Sequence, residues 1–241
     1  YMLDNNLDLI VLVFSLMLIG SIQIPINTKL RNDSLKFIVS HCEAKLVIAE
    51  DGYQSILTPL VSPQLADGII YRHSQYSFQW HNPKNILSTV VVKNEALGAD
   101  DVQFILYTSG TTGEPKGVLV TDRMLRAAAD ACAQTSSASA NDRFLLWEPL
   151  FHIGALQILP LVLLKHISLI LVSTFSASQF WECVRSERVT KIHFLGGILQ
   201  ILLRQPSNDD RNHSCQIAWG GGAPTHVAKA FEQRFGIEVR E

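Results

Sequence analysis

Between two apolar runs, Val102 to Tyr107 and Val118 to Val120, sits the decapeptide Thr108-Ser109-Gly110-Thr111-Thr112-Gly113-Glu114-Pro115-Lys116-Gly117. Apolar β-formers on either side of a glycine-rich stretch predict a strand, a tight loop and a second strand. The chemistry of the loop is equally constrained. Its glycines let backbone N–H groups approach an anion, its hydroxyls add donors, and Lys116 sets a point charge at the rim. Together these parts make a polyphosphate cradle. It is not a Walker A loop, because the lysine comes six residues after Gly110 and is followed by Gly117 instead of Ser or Thr.

Around this loop, strand-like and helix-like stretches alternate. Leu35, Ile38, Val39 and Cys42 fall on one face of a helix that Asn32 or Asp33 can cap. Lys45 to Ala49 and Gly68 to Tyr71 read as buried strands, Tyr71 to Asn85 as a surface connection, and Asn85 to Val92 as a return to β character. Thr121 opens a helix reaching about Ala133, and Gln134 to Asn141 reads as a turn. Ser176 can cap a helix running to about Arg188, with Phe175 and Phe180 closing a hydrophobic staple. Lys191 to Leu195 is a strand. Pro224 stands at a helix start and Gly236 at its end, the expected asymmetry. This rhythm predicts right-handed βαβ units and an α/β fold of layered, mostly parallel sheets flanked by helices.

Composition narrows the partners. The net charge is −2 with no basic cluster, which argues against nucleic acid. The four cysteines lie far apart without metal-site spacing, as expected for reduced thiols in a cytoplasmic protein, and the eight histidines are as scattered. Leu9 to Thr28 carries no charge and is long enough to span a membrane. Gly20 and Pro25 interrupt it, however, and no basic region precedes it. It reads as a buried helix, Leu7 to Ile19, followed by a core strand ending at Pro25.

The decapeptide closely resembles the phosphate-binding loop of the adenylate-forming enzymes: acyl-CoA synthetases, luciferases and the adenylation domains of peptide synthetases. Three further segments match in order and approximate spacing. They are Gly20 to Asn27 (GSIQIPIN), Pro149-Leu150-Phe151-His152-Ile153-Gly154, and Gly220-Gly221-Gly222-Ala223-Pro224. Phe175-Ser176-Ala177 with Phe180-Trp181, Gln205-Pro206 and Arg234-Phe235-Gly236 lean toward the crotonobetaine/carnitine-CoA ligase branch. The resemblance implies an ATP-dependent activation of a carboxylic acid to an acyl-adenylate, then transfer to CoA, with Mg²⁺ as companion of the ATP. An acyl-AMP ligase, a carrier-protein-loading adenylation domain and a truncated nucleotide-binding remnant share the same motifs. The family pattern also implies that residues 1–241 form a partial AMP-binding large domain, cut at both ends and lacking the small C-terminal domain, with little turnover by itself.

By that resemblance, Thr108, Ser109, Gly110, Thr111, Thr112, Gly113 and Lys116 grip the β- and γ-phosphates, Lys116 as the catalytic cation. A loop that only orders when ATP arrives is equally compatible with these residues. Gly220, Gly221, Gly222, Ala223 and Pro224 follow an apolar strand and precede a helix. Bare backbone at a strand's carboxyl end leaves room for a flat ring and a carboxylate. The resemblance makes this segment the adenine and acyl-phosphate wall, and sets Phe151 and His152 at the border of the acyl pocket. Read on its surroundings alone, His152 is a core histidine before an apolar helix, Ile153 to Leu164. Two departures stand out: Glu148 before Pro149, and Asp122 where the family usually has His, which either weakens phosphate affinity or caps the helix.

Overall fold

The computed structural model describes residues 1–60, 68–72, 80–81, 98–108, 114–206 and 209–241. The expected β-run from Asn85 to Val92 lies outside them. The chain divides into two compact units: Tyr1–Leu125 with Pro149–Ile153, and Arg126–Glu148 with Gly154–Glu241.

The first unit begins with the helix Leu7–Leu18, whose N-terminus is capped by Asn6 Oδ1 accepting from the Leu9 N–H at 2.8 Å. At 12 residues this helix is too short to cross a bilayer, which takes about 20 residues, and no helix among the described residues is long and apolar enough. Its first turn buries Asp8, paired with the buried Arg72 at 2.5 Å. Beyond that it buries only Leu9 and Val13 and leaves Leu7, Val11 and Leu18 exposed, so it is not the buried helix expected. The expected strand ending at Pro25 is reduced to one bridge, Gln23 to Phe104. Gln23 exchanges backbone bonds with Gln103 and Ile105, but Pro25 has no N–H with which to extend the ladder.

The helix Asn32–His41 buries Leu35, Ile38 and Val39 as its periodicity predicts, while Cys42 follows it half-buried. Neither Asn32 nor Asp33 caps it: the N-cap position falls on Arg31, which offers no side-chain acceptor. β1 (Val47–Glu50) pairs in parallel with β2 (Ile69–Arg72), and β2 pairs antiparallel with β3 (Trp80–His81). β3 falls inside the stretch expected to be a surface connection. Met2, Ile26, Ile38, Ala49, Leu57 and Ile69 gather in the core beside this sheet. A separate hairpin joins β4 (Val102–Thr108) to β5 (Lys116–Thr121) in antiparallel register.

The second unit holds a five-stranded, wholly parallel sheet: β6 (Arg143–Leu146), β7 (Ser168–Leu171), β8 (Lys191–Leu195), β9 (Ile217–Gly221) and β10 (Glu238–Arg240), in the order β10-β9-β8-β6-β7. Successive strands alternate with helices, so the α/β class read from the sequence holds. One sheet face sends Leu145, Ile192, Phe194 and Ala218 into a cluster with Trp181, Phe231 and Phe235. Trp181 stacks on Phe235 with ring centroids 4.2 Å apart. Truncating an aromatic in such a cluster costs about 3–5 kcal/mol. The helix Thr225–Phe235 follows Pro224 and ends at Gly236, whose φ of +70° closes the last turn.

Several local expectations are corrected. The helix expected from Ser176 starts at Phe180 and has no side-chain cap, although Phe175 and Phe180 do touch, with centroids 5.9 Å apart. Ser176 Oγ instead sits 3.3 Å from Ser178 Oγ, a local bond that competes with capping. The apolar helix after His152 is two, Ile153–Leu156 and Leu159–Leu164, and Pro160 in the first turn of the second explains the break. The helix expected to end near Ala133 runs Asp122–Ser136, taking in the start of the expected turn.

Candidate functional site

A parallel sheet places ligands outside the carboxyl ends of its strands, at the point where strand order reverses. In the second unit that point is unambiguous. The chain passes from β6 to β7 on one side, then returns to place β8 on the other side of β6 and continues outward to β9 and β10. The switch point therefore lies between the carboxyl ends of β6 and β8.

On the β8–β9 side of it, the residues are nearly bare of side chains. β8 ends at Leu195 and runs into Gly196 and Gly197, while β9 ends in Gly220 and Gly221, followed by Gly222, Ala223 and Pro224. The two ends are bonded together, the Gly196 N–H donating to the Gly221 carbonyl at 2.9 Å. Gly220 is required by close approach, since a Cβ there would fall 1.9 Å from the Phe194 carbonyl oxygen. Gly222, at φ +81°, needs left-handed backbone instead. At Gly197 and Gly221 a Cβ would meet nothing within 4 Å, so the shelf is open there. The amide of Ala223 already donates to a carboxylate, that of Glu241, at 2.7 Å. The positive end of the helix Thr225–Phe235 adds to that preference for negative charge.

Beside the shelf, a buried acid–base pair closes the base of the switch point. Glu148 and His193 are 2% and 5% exposed, and Oε2 lies 2.5 Å from Nδ1. The Trp147 indole N–H donates to the His193 carbonyl at 2.8 Å, and the Trp219 ring lies against the imidazole with centroids 4.2 Å apart. Burial pushes the Cys132 thiol well above its ordinary range, and the negative charge of Glu148 pushes it further. Cys132 is thus an inert thiol. Nearer β7, Trp147, Phe175, Phe180 and Cys183 help line a hollow of about 290 Å³.

In the first unit the hairpin presents its own candidates. Thr108 is the last residue of β4 and Lys116 the first of β5, directly opposite each other, so a hydroxyl and an ammonium flank the loop mouth. Lys116 is exposed. Ser109, Gly110, Thr111, Thr112 and Gly113 lie outside the described residues. Phe151 and His152 stand together in the segment Pro149–Ile153, rings 4.9 Å apart, and the Leu150 amide donates to Asn5 Oδ1. His152 is exposed, not the core histidine its apolar surroundings suggest. At the end of β5, Thr121 Oγ1 accepts from the Met124 N–H at 3.3 Å and so caps the next helix. Asp122 occupies that helix's first turn, where a negative charge is favoured. Of the two readings of Asp122, this is the helix-terminal one.

The sequence candidates thus fall into two sets: Thr108, Lys116, Phe151 and His152 in the first unit, Gly220 to Pro224 in the second. Sequence reasoning left Glu148 unexplained and passed over His193 and the pair Gly196-Gly197. A signal was available: Lys191 and His193 alternate with apolar residues on β8, so both face one side of a buried strand. Among the described residues no group of three or more His, Cys, Asp or Glu side chains is arranged to hold a metal ion.

The sequence matches the family described as AMP-binding enzyme over residues 1–241. It is similar to the long-chain-fatty-acid–CoA ligase FadD13 of Mycobacterium tuberculosis, 28% identical over 84% of this chain and 39% of that protein. It is 26% identical to the crotonobetaine/carnitine–CoA ligase of Proteus mirabilis, over 98% of this chain and 48% of that protein. The chain therefore spans less than half the length of these curated relatives. Among solved structures, the N-terminal domain of FACL13 from Mycobacterium tuberculosis, crystallised with an inhibitor, superposes with a TM-score of 0.79 at 26% identity, covering 99% of this chain and 60% of that one.

Proposed function

The chain belongs to the AMP-binding enzyme family, and we propose that it forms the nucleotide-handling part of an ATP-dependent carboxylate–CoA ligase. In the first step a carboxylate oxygen attacks the α-phosphorus of ATP. The bond to pyrophosphate breaks, and the acyl-adenylate remains. In the second step the thiol sulfur of CoA attacks the acyl carbonyl, loses its proton and displaces AMP. Such transfers depend on positioned charge more than on covalent help from the protein.

The observation that carries this reading is the hairpin mouth, where Thr108 and the exposed Lys116 stand opposite each other at the two ends of the glycine-rich loop. Lys116 is the cation toward the β- and γ-phosphates, and Thr108 with Ser109, Gly110, Thr111, Thr112 and Gly113 supplies hydroxyls and amides. Gly220, Gly221, Gly222, Ala223 and Pro224 carry the adenine and the acyl phosphate. Their fit rests on the open backbone at Gly221 and on the carboxylate already held by the Ala223 amide. Phe151 and His152 border the acyl group. Mg²⁺ fits this scheme as an ion riding on ATP's phosphates, since it retains waters and takes few protein ligands.

The test is pyrophosphate–ATP exchange by the complete gene product across a panel of fatty and betaine-type acids. Exchange that depends on one class of acid is expected. In Lys116→Ala, kcat should fall about 10²–10³-fold, while stability stays within about 0.5 kcal/mol because the side chain is exposed. Absence of exchange with every acid, or unchanged kinetics in the variant, overturns the assignment.

A further inference from the structure

Resting on that functional reading, we propose that Glu148 and His193 are a positioning pair for acyl-adenylate formation, which fixes Glu148 and Gly154, the two residues flanking the segment Pro149–Ile153 that carries Phe151 and His152. The pair straddles the switch point, since Glu148 leaves the end of β6 and His193 lies within the neighbouring β8. Glu148 directly precedes the segment, and Gly154 directly follows it. A Cβ on Gly154 would lie 2.6 Å from Glu148 Oε1 and 3.0 Å from Oε2, so the carboxyl group rests against the bare backbone there. The two residues flanking the segment therefore meet at one carboxyl group, and that group is fixed to β8 by His193 Nδ1 at 2.5 Å.

The pair's own setting leaves it little freedom. Trp219 flanks the imidazole, and the Trp147 indole bonds the His193 carbonyl. On the helix Asp122–Ser136, the Cys132 thiol feels the carboxylate's charge. Lys191, two residues along β8, is turned to Asp142 at 3.7 Å and Gln216 at 3.3 Å. Two buried groups joined by one short bond make a stiff joint, because breaking it would cost each a buried polar contact. Both side chains are buried, and each acts through the residues flanking the segment.

The experiment compares the complete gene product with its Glu148→Gln and His193→Gln variants by hydrogen–deuterium exchange and by adenylation kinetics. Exchange of the amides from Leu150 to Gly154 should quicken about tenfold or more in both variants, with β9 and the helix Thr225–Phe235 unchanged. The kcat for adenylate formation should fall about 10–100-fold, the scale of an ångström's misplacement, while KM for ATP moves less than about twofold. Unchanged exchange in the segment overturns the proposal, as does a kcat loss matched by an equal rise in KM for ATP. If the wild type forms no adenylate, the functional reading fails, yet exchange still decides the pair. If the variants do not fold, ¹⁵N-histidine spectra of the wild type decide: a slowly exchanging, hydrogen-bonded His193 ring proton supports the joint, and a freely exchanging one refutes it.

Discussion

On the proposed reading, the β4–β5 hairpin and the carboxyl ends of β8 and β9 both offer an anion a place to bind, by opposite means. The hairpin offers side chains. Thr108 and Lys116 stand at its mouth, and the outer strand is exposed from Lys116 to Leu119. The strand ends offer backbone: five glycines across two bonded turns, set over a packed aromatic core. A side-chain site is readable as a motif and tolerates small shifts of its frame. A backbone site exists only where neighbouring strands bring it together, and it tolerates no added atom at its tightest point.

Substitution of that tightest glycine is the strongest way to break the contrast. In Gly220→Ala the new Cβ meets a β8 carbonyl oxygen at 1.9 Å, and neither backbone can yield without disturbing the β8–β9 ladder. Destabilisation of about 3 kcal/mol is expected in urea unfolding, at the upper end for overpacking. Gly221→Ala, where nothing lies within 4 Å, is the control and should stay within about 0.5 kcal/mol. Equal costs at the two positions would mean that the shelf is not built on close approach.

Legibility in the sequence follows the same division. Lys191–Leu195 stands at the expected bounds, and Pro224 and Gly236 bracket their helix, because strand periodicity, the N-terminal proline and the left-handed glycine are local properties. The hairpin flanking the glycine-rich stretch and the Gly220 to Pro224 turn are local in the same sense. Strand order is not local. It alone sets Gly196-Gly197 beside Gly221 and turns Glu148, an odd residue before a proline, into the partner of a histidine 45 positions away. The Ser176 cap failed although its sequence signature is good, since the two nearby serines bond each other and the helix starts only at Phe180. The apolar run after His152 splits into two helices because Pro160 cannot continue the first.

A milder effect is expected from the hairpin's own close glycine. In Gly117→Ala the Cβ would come within 2.8 Å of Ile105 Cγ2, the end of a half-buried side chain that can turn aside. Part of the cost is also offset because alanine suits a strand better than glycine does. A loss of about 1 kcal/mol or less is expected by the same urea measurement. If Gly117→Ala proves as damaging as Gly220→Ala, the hairpin is as rigid as the strand ends and the distinction between them fails.

The smallest effect separates the two units by pH. In the first unit, burial raises the Glu50 carboxyl above its ordinary value of 4.5, the nearby Asp4 charge adds to this, and Arg72 opposes it. In the second, burial lowers the His213 imidazole below 6.5 despite neighbouring backbone acceptors. A raised carboxyl binds more protons folded than unfolded, so acidification toward 4.5 stabilises the fold through Glu50. A lowered imidazole binds fewer protons folded, so acidification below 6.5 destabilises it through His213. Glu50→Gln and His213→Phe isolate the two contributions, the phenyl ring retaining the stack on Trp181 at 5.4 Å. In urea unfolding between about pH 4.5 and 7, wild type should gain stability relative to Glu50→Gln as pH falls, and lose it relative to His213→Phe. Slopes of the same sign in both comparisons would mean that one of these burials is relieved in solution. A flat profile for His213→Phe against wild type would identify His213 as the relieved one, since burial is the largest cause of its lowered pKa.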